Sequence, residues 1–443
     1  MASLLKIWSS ARIILKQKAS RVLMYIRALA KWLLISGITG VLCGLLGSAF
    51  HIGVDLATGI RLAHPWLLFL MPLAGLAIVG IYSFFSVEGQ STDSIISEVQ
   101  TGKGLKIKLI PSIFLSTLLT HLCGGSAGRE GAALQMGGTI GFEVAKLLHL
   151  DDRDIRTATQ AGMAAFFSAL FGTPLAAAVF AMAVISVGLL YHAALIPCLI
   201  ASLTAYGIST LFGINPTRFL VLAPPVSLSM MLRIALLAAL SGWVADLFCD
   251  AVHVTERQLK KLFPSPYRRI LAGSVLLLVL SLLFPSGEYN GAGGEIIRLA
   301  IEEGSTHPLS FLLKIVFTAV TLGAGFKGGE VVPSFFIGAC FGCVIGPLLG
   351  IPPGFAAATG LISVFCAAVN CPLASTFLAI EMLGSGGILY YGLACALSYM
   401  LSGYTGLYSS QRILYDKLKA QYIDVHANAY HEGEHTPMEQ KYK

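Results

Sequence analysis

Charge is scarce in this chain. Asp, Glu, Lys and Arg make up 12% of its 443 residues, about half the roughly 25% of a soluble domain. Hydrophobic residues reach 56% and the mean hydropathy is +0.77, which excludes a soluble globular protein. Acid is missing altogether from residues 1–31, where Lys6, Arg12, Lys16, Lys18, Arg21, Arg27 and Lys31 stand unopposed. Metal-site spacing is missing too. Of nine cysteines, only Cys340 and Cys343 form a C-x-x-C, with no second pair or histidine cluster beside it. Most of the cysteines lie in apolar stretches, where a small buried hydrophobe is the default. No Ser–His or Cys–His pattern points to a hydrolase, and no cofactor motif is present.

What the chain has is apolar length. Residues 32–50, 66–85 and 271–284 match or approach the roughly 20 residues that cross a bilayer, and further runs follow. The expectation is an all-α polytopic protein of the plasma (inner) membrane. The first run follows a long basic segment and precedes more spans, so it is not a cleaved signal peptide. The basic arm marks the cytoplasmic side. With Leu4, Leu5, Trp8, Ile13, Ile14, Val22 and Leu23 between its bases, it suits a helix lying on anionic lipid. Nucleic-acid binding has no support elsewhere in the chain. Arg257, Lys260, Lys261, Arg268 and Arg269 place a second loop on the cytoplasmic side. The expected organisation is a basic helix over 1–31, a transmembrane domain over 32–415 and a short polar tail over 416–443. In that tail His431, Glu434 and His435 read as solvated polarity.

The chain is organised around Gly124-Gly125-Ser126-Ala127-Gly128-Arg129-Glu130-Gly131, a charged and glycine-rich break inside an apolar region. Charge at membrane depth is expensive and normally faces a protein-lined or watery path. Glycines leave backbone N–H groups uncovered, and the apolar pattern resumes at once. This describes a broken, re-entrant helix whose new N-terminus points at an anion. The rival reading is a glycine-packed helix contact with a snorkelling arginine. A repeat favours the first. Gly162, Phe167, Ala169, Pro174, Leu175 and Ala176 recur 198 residues later as Gly360, Phe365, Ala367, Pro372, Leu373 and Ala374. The break recurs as well, with Gly128, Glu130 and Gly138 matching Gly328, Glu330 and Gly338. Two halves, about 32–212 and 229–415, with broken helices in corresponding places describe an inverted-repeat transporter with its ion site at the midplane. Ahead of the break, Ser91-Thr92-Asp93 before Ile95, Ile96 and Val99 reads as a helix N-cap.

These residues resemble the CLC family of chloride channels and proton-coupled anion antiporters, from about residue 32 to 415. Gly128-Arg129-Glu130-Gly131 looks like the family's G-R/K-E-G motif, which carries the gating glutamate. Gly329-Glu330-Val331-Val332-Pro333 stands in place of G-x-F-x-P, and Ser91-Thr92-Asp93 falls where the family has its serine loop. Leu407-Tyr408-Ser409 resembles the segment near the end of the last membrane helix that offers a tyrosine hydroxyl to the anion. The resemblance implies the CLC fold, a homodimer through apolar helices (193–212 and 388–401 suit), and fluoride or chloride and protons as partners. It implies an anion site from the N–H groups of Gly131, Val331 and Val332 with the hydroxyls of Tyr408 and either Ser91 or Thr92. Glu130 would be an anion on a tether, occupying the path when deprotonated and yielding it when protonated. Arg129 is expected to set the field rather than bind the ion.

Three departures direct the finer reading. The family's relay glutamate would fall ten residues after Pro174, where Val184 stands. An acid, Glu330, precedes Val331 where the motif is apolar. The serine loop is rewritten. Losing the relay acid and gaining G-G-E resembles the fluoride/proton antiporter branch, although that branch has Asn or Met near the serine loop and often a hydroxyl at the place of Val332. The expectation is proton-coupled efflux of an inorganic anion, fluoride ahead of chloride, with Glu330 a possible second acid. The rival role for Glu330 is a helix N-cap acid. Alternatives are a chloride/proton antiporter, a passive chloride channel, and a membrane-embedded enzyme using Glu130, His121 and Arg129. The repeat argues against the enzyme.

Overall fold

In lipid every backbone polar group must be satisfied within the protein, and helices do this locally. The computed structural model describes residues 2–102, 104–419 and 421–429, with side chains from residue 16 onward. The first half is α1 (Ala2–Ala63), α2 (Met71–Phe84), α3 (Thr92–Thr101), α4 (Leu109–Leu122), α5 (Glu130–Leu147), α6 (Asp152–Phe171), α7 (Pro174–Ala183) and α8 (Leu195–Leu211). The second is α9 (Leu228–Leu262), α10 (Pro266–Leu283), α11 (Gly294–Arg298), α12 (Ser310–Ala324), α13 (Val331–Leu348), α14 (Pro353–Val369), α15 (Pro372–Leu383) and α16 (Ile388–Leu401). Six helical segments among the described residues are long and apolar enough to cross a membrane.

The basic arm is not a separate surface helix. It runs straight into the first span as one helix of 62 residues, because residues 2–36 contain no glycine or proline to stop it. Lys31 pairs with Asp154 at the start of α6. Arg61 stands thirty residues, about 45 Å of helix, further on, so the two ends of this span lie on opposite faces of the molecule.

The repeat is visible in how glycines let backbones touch. A Cβ on Gly137 would stand 2.3 Å from the Gly162 carbonyl, and one on Gly338 would stand 2.3 Å from that of Gly360. One turn on, Gly141 meets Ala158 and Gly342 meets Ala356, each with a Cβ-to-carbonyl distance of 2.1 Å. This small-residue packing of α5 on α6 and of α13 on α14 corrects the sequence register. Gly137 corresponds to Gly338, not Gly138 to Gly338. Both helices have 18 residues, starting at Glu130 and Val331. Arg129 therefore corresponds to Glu330, and Glu130 to Val331. Glycine-rich runs match at several registers; the helix starts choose among them.

Two further expectations change at the C-terminal end. Residues 404–415, the end of the expected transmembrane domain, are not helical, since Gly403 (φ +57°) ends the helical run and the chain turns through Ser409-Ser410 into a strand. The supposed tail is also folded as far as residue 429. Strand β1 (Ser186–Val187) pairs in parallel with β2 (Arg412–Tyr415), which pairs antiparallel with β3 (Tyr422–His426). Val187, Ile413 and Ala427 form its small core, and Arg412 pairs with Asp424 across the strands. Alternation in so short a strand is too weak a signal to read. His431, Glu434 and His435 lie outside the described residues.

Candidate functional site

The chain unwinds after α4 because Gly124 takes a left-handed conformation (φ +84°). Ser126 then ties the break to α12, its N–H donating to Thr321 Oγ1 at 3.0 Å and its hydroxyl meeting Thr318 Oγ1 at 3.0 Å. Gly128 and Gly329 exchange two backbone hydrogen bonds of 2.7 and 2.8 Å. That isolated bridge clamps the two glycine-rich breaks together, so the N-termini of α5 and α13 open beside it.

Glu130, the first residue of α5, is fully buried. Its Oε2 accepts from its neighbour Arg129 N at 3.0 Å and from Val332 N at 3.3 Å. Oε1 has no hydrogen-bond partner. The Glu130 carboxylate is therefore an anion lying on the start of α13, where free N–H groups and the helix dipole favour negative charge. Gly128 makes room for it, since a Cβ there would fall 2.1 Å from Oε2. Glu330 occupies the N-cap of α13 but makes no side-chain cap hydrogen bond, and its Oε2 is buried without a partner.

The hydroxyls differ in placement. Thr92 Oγ1 donates to the Gly131 carbonyl at 3.4 Å and accepts from Gln135 Nε2 at 3.3 Å, so Thr92 stands at the start of α5. Ser91 instead forms a capping box with Ser94, whose hydroxyl accepts from Ser91 N at 3.2 Å. Tyr408 is 2% exposed with its hydroxyl unpartnered, close enough to Glu130 and Glu330 to feel both charges. Val184, at the relay position, is buried; its backbone N–H donates to the Phe180 carbonyl at 2.9 Å and its carbonyl accepts from Gln411 Nε2 at 3.1 Å.

Sequence reasoning missed what holds Tyr408. Its segment is gripped from every side by side chains. Asp93 accepts from Ser410 N at 2.7 Å. Asn370 donates to the Thr405 carbonyl at 2.9 Å, and His253 Nε2 donates to the Gly406 carbonyl at 2.9 Å. Asn428 makes three bonds, from Gly406 N at 3.0 Å, to Gly406 O at 2.9 Å and to Ser409 Oγ at 3.2 Å. Only Asp93 carried a local signal, its place beside Thr92. The others are remote in sequence and meet through the fold.

A cavity of about 610 Å³ opens at the Ala63 end of α1 and reaches Glu130. Asp55, Arg61, His121 and Arg129 are in its wall. Arg129 is spent on Asp55 at 3.1 Å, which also pairs with His51 at 3.1 Å. His121 is buried with a ring nitrogen 3.4 Å from the Gly128 carbonyl. Lys314, also missed, is fully buried and donates to the carbonyls of Tyr289 at 3.3 Å and Gly291 at 2.6 Å. Toward the opposite, basic face, Lys327 lies over the Tyr82 ring at 4.3 Å.

Two repeats joined at broken helices, with an acid on the joint and a cavity leading to it, define a repeat-built membrane transport protein. The chain belongs to the voltage gated chloride channel family, which it matches over residues 74–403. The chloride/fluoride channel protein of Pseudomonas syringae pv. tomato is 34% identical over 401 residues, 88% of each chain. The H(+)/Cl(-) exchange transporter ClcA of Vibrio vulnificus is 26% identical over 437 residues, 90% of this chain and 93% of that one. The crystal structure of a CLC-type fluoride/proton antiporter superposes with a TM-score of 0.84 at 32% identity, covering 86% of this chain and 98% of the other.

Proposed function

We propose that this protein exchanges a small inorganic anion for protons across the plasma membrane, with fluoride as the preferred anion. The observation that carries the reading is the Glu130 carboxylate on Val332 N at the joint of the two repeats. Deprotonated, it fills the anion seat itself. Protonated, it loses the charge that the helix end attracts, and an external anion takes the place. Proton and anion thus compete for one seat without a large domain motion. The free N–H groups of Gly131 and Val331, the Thr92 hydroxyl and the unpartnered Tyr408 hydroxyl complete the coordination of a dehydrated anion, while Ser91 serves its own helix. Glu330 acts as a second acid on the proton side, in place of the missing relay carboxylate at Val184.

Fluoride over chloride rests on Glu330 in G-G-E, on the lost relay acid and on the fluoride-handling relatives. Val332, where a hydroxyl would suit fluoride, keeps chloride transport as the second reading. Residues 32–415 act as one transport domain, and the molecule works as a homodimer through the exposed apolar faces of α8 and α16, including Ile196, Leu203, Ile388 and Leu389.

The test is anion efflux from liposomes of purified protein loaded with fluoride or chloride while external pH is recorded. Fluoride efflux with opposed proton movement is the expected result, with the proton movement abolished in Glu130→Gln. Equal chloride flux would refute the preference, and flux without proton movement would refute exchange in favour of a channel.

A further inference from the structure

The cavity above Glu130 holds a charge that the exchange cycle leaves unused. Arg61, at the end of α1, is 9% exposed and in the cavity wall. Its guanidinium makes no hydrogen bond or ion pair with the described residues, and Nε is buried without a partner. It lies against bare backbone. A Cβ on Gly291 would stand 3.0 Å from one of its terminal nitrogens and one on Gly124 would stand 3.5 Å from Cδ. Gly291 takes φ +74°, so two constraints reserve that position for glycine.

Arg61 also has a neighbour of its own sign. Lys314 is near enough for the two charges to act on each other, and among the described residues no carboxylate pairs with either of them. Asp55 pairs with Arg129 and His51. Glu295 pairs with Arg298 at 2.6 Å. Glu130 is turned to the α13 terminus. Glu288 lines the cavity but makes no bond to Arg61. Lys314 at least has two carbonyls; Arg61 has no hydrogen-bond partner for its donors among the described residues, and its Nε is buried. A buried cation without a partner is among the costliest arrangements a protein can hold. Such a donor set, fixed in a roomy cavity, is a site for an anion.

We propose that Arg61 binds a monovalent inorganic anion in this cavity, as a loading site ahead of the Glu130 seat. The bound anion neutralises Arg61, offsets Lys314 and waits beside the carboxylate it is to replace. Its role as a loading site rests on the exchange reading; its occupancy is tested separately. Thermal unfolding of the full chain in nanodiscs is followed as fluoride, or chloride, replaces gluconate at constant ionic strength. A ligand that binds only the folded state raises the midpoint as its concentration rises. The wild type is expected to gain stability with the halide, Arg61→Gln to lose much of that gain and Arg61→Lys to keep part of it. In the liposome assay Arg61→Gln is expected to raise severalfold the half-saturating concentration for anion entering from this face. A halide response in Arg61→Gln equal to the wild type's would overturn the proposal. So would a destabilisation by Glu288→Gln that Arg61→Gln relieves, since that identifies an internal ion pair. Absence of any flux, with the Arg61-dependent halide response intact, would sink the exchange reading alone.

Discussion

Gly128→Ala isolates the seat of Glu130 from the rest of the protein. The new Cβ would lie 2.1 Å from Oε2, 3.1 Å from the same carboxyl carbon and 3.2 Å from Pro333 Cδ. The atom in the way is the end of a flexible side chain, so the carboxylate retreats and the fold survives. To reach ordinary contact it must move by about 1.3 Å, which breaks its bonds of 3.0 and 3.3 Å to Arg129 N and Val332 N. Hydrogen bonds to a charged group contribute about 1.5–3 kcal/mol each. Losing both disfavours the seated state by roughly 3–6 kcal/mol, two to four decades in occupancy. An external anion then meets no competitor. Anion efflux from liposomes is expected to continue or quicken, while proton movement driven by the anion gradient falls below detection. In a Glu130→Gln background the same substitution should add almost nothing, because the displaced charge is already gone. Wild-type proton coupling in folded Gly128→Ala protein would refute the reasoning.

Glu330→Gln is expected to keep anion flux but lose proton coupling in the pH-recorded efflux assay; intact coupling in folded protein would reduce Glu330 to a structural acid. Gly137→Ala, unlike Gly128→Ala, brings a Cβ to 2.3 Å from the rigid Gly162 carbonyl, so size-exclusion chromatography should show aggregation or little folded protein. Asn428→Ala removes three bonds to the Tyr408 segment, about 1 kcal/mol each net. Faster amide exchange at residues 404–411 and weaker anion selectivity should follow, with the membrane helices unchanged.

The part of the candidate site at the broken helices was legible because its signals are local. Charge beside glycines inside an apolar run has few explanations, and the structure brings Gly128, Glu130 and Val332 together at the joint of the repeats. The repeat was legible in kind but not in register. Sequence identity paired Glu130 with Glu330, whereas the helix starts pair Glu330 with Arg129. The support around Tyr408 was not legible at all. His253, Asn370 and Asn428 are ordinary polar residues scattered over 176 positions, and no periodicity marks a side chain that bonds to a distant loop. Arg61 was hidden differently. An arginine at the end of an apolar helix reads as a residue reaching for water, and only burial without a partner distinguishes it.

The corrected register has a consequence for the transport cycle. A backbone with two equivalent broken helices offers two N-termini, yet only α5 begins with a carboxylate; α13 begins with Val331. One carboxylate, bonded to Arg129 N and Val332 N, therefore caps both helix starts at once. Whatever displaces it must be an anion, because a neutral group would leave both ends uncapped. Glu130→Gln should thus make the fold depend on external halide. Its unfolding midpoint in gluconate is expected to fall by several degrees, and fluoride or chloride at constant ionic strength should restore it. That halide response is expected to exceed the wild type's, the opposite sign to Arg61→Gln. If Glu130→Gln is as stable as the wild type in gluconate and indifferent to halide, the Glu130 carboxylate is not the shared cap, and competition for one seat cannot be how proton and anion are coupled.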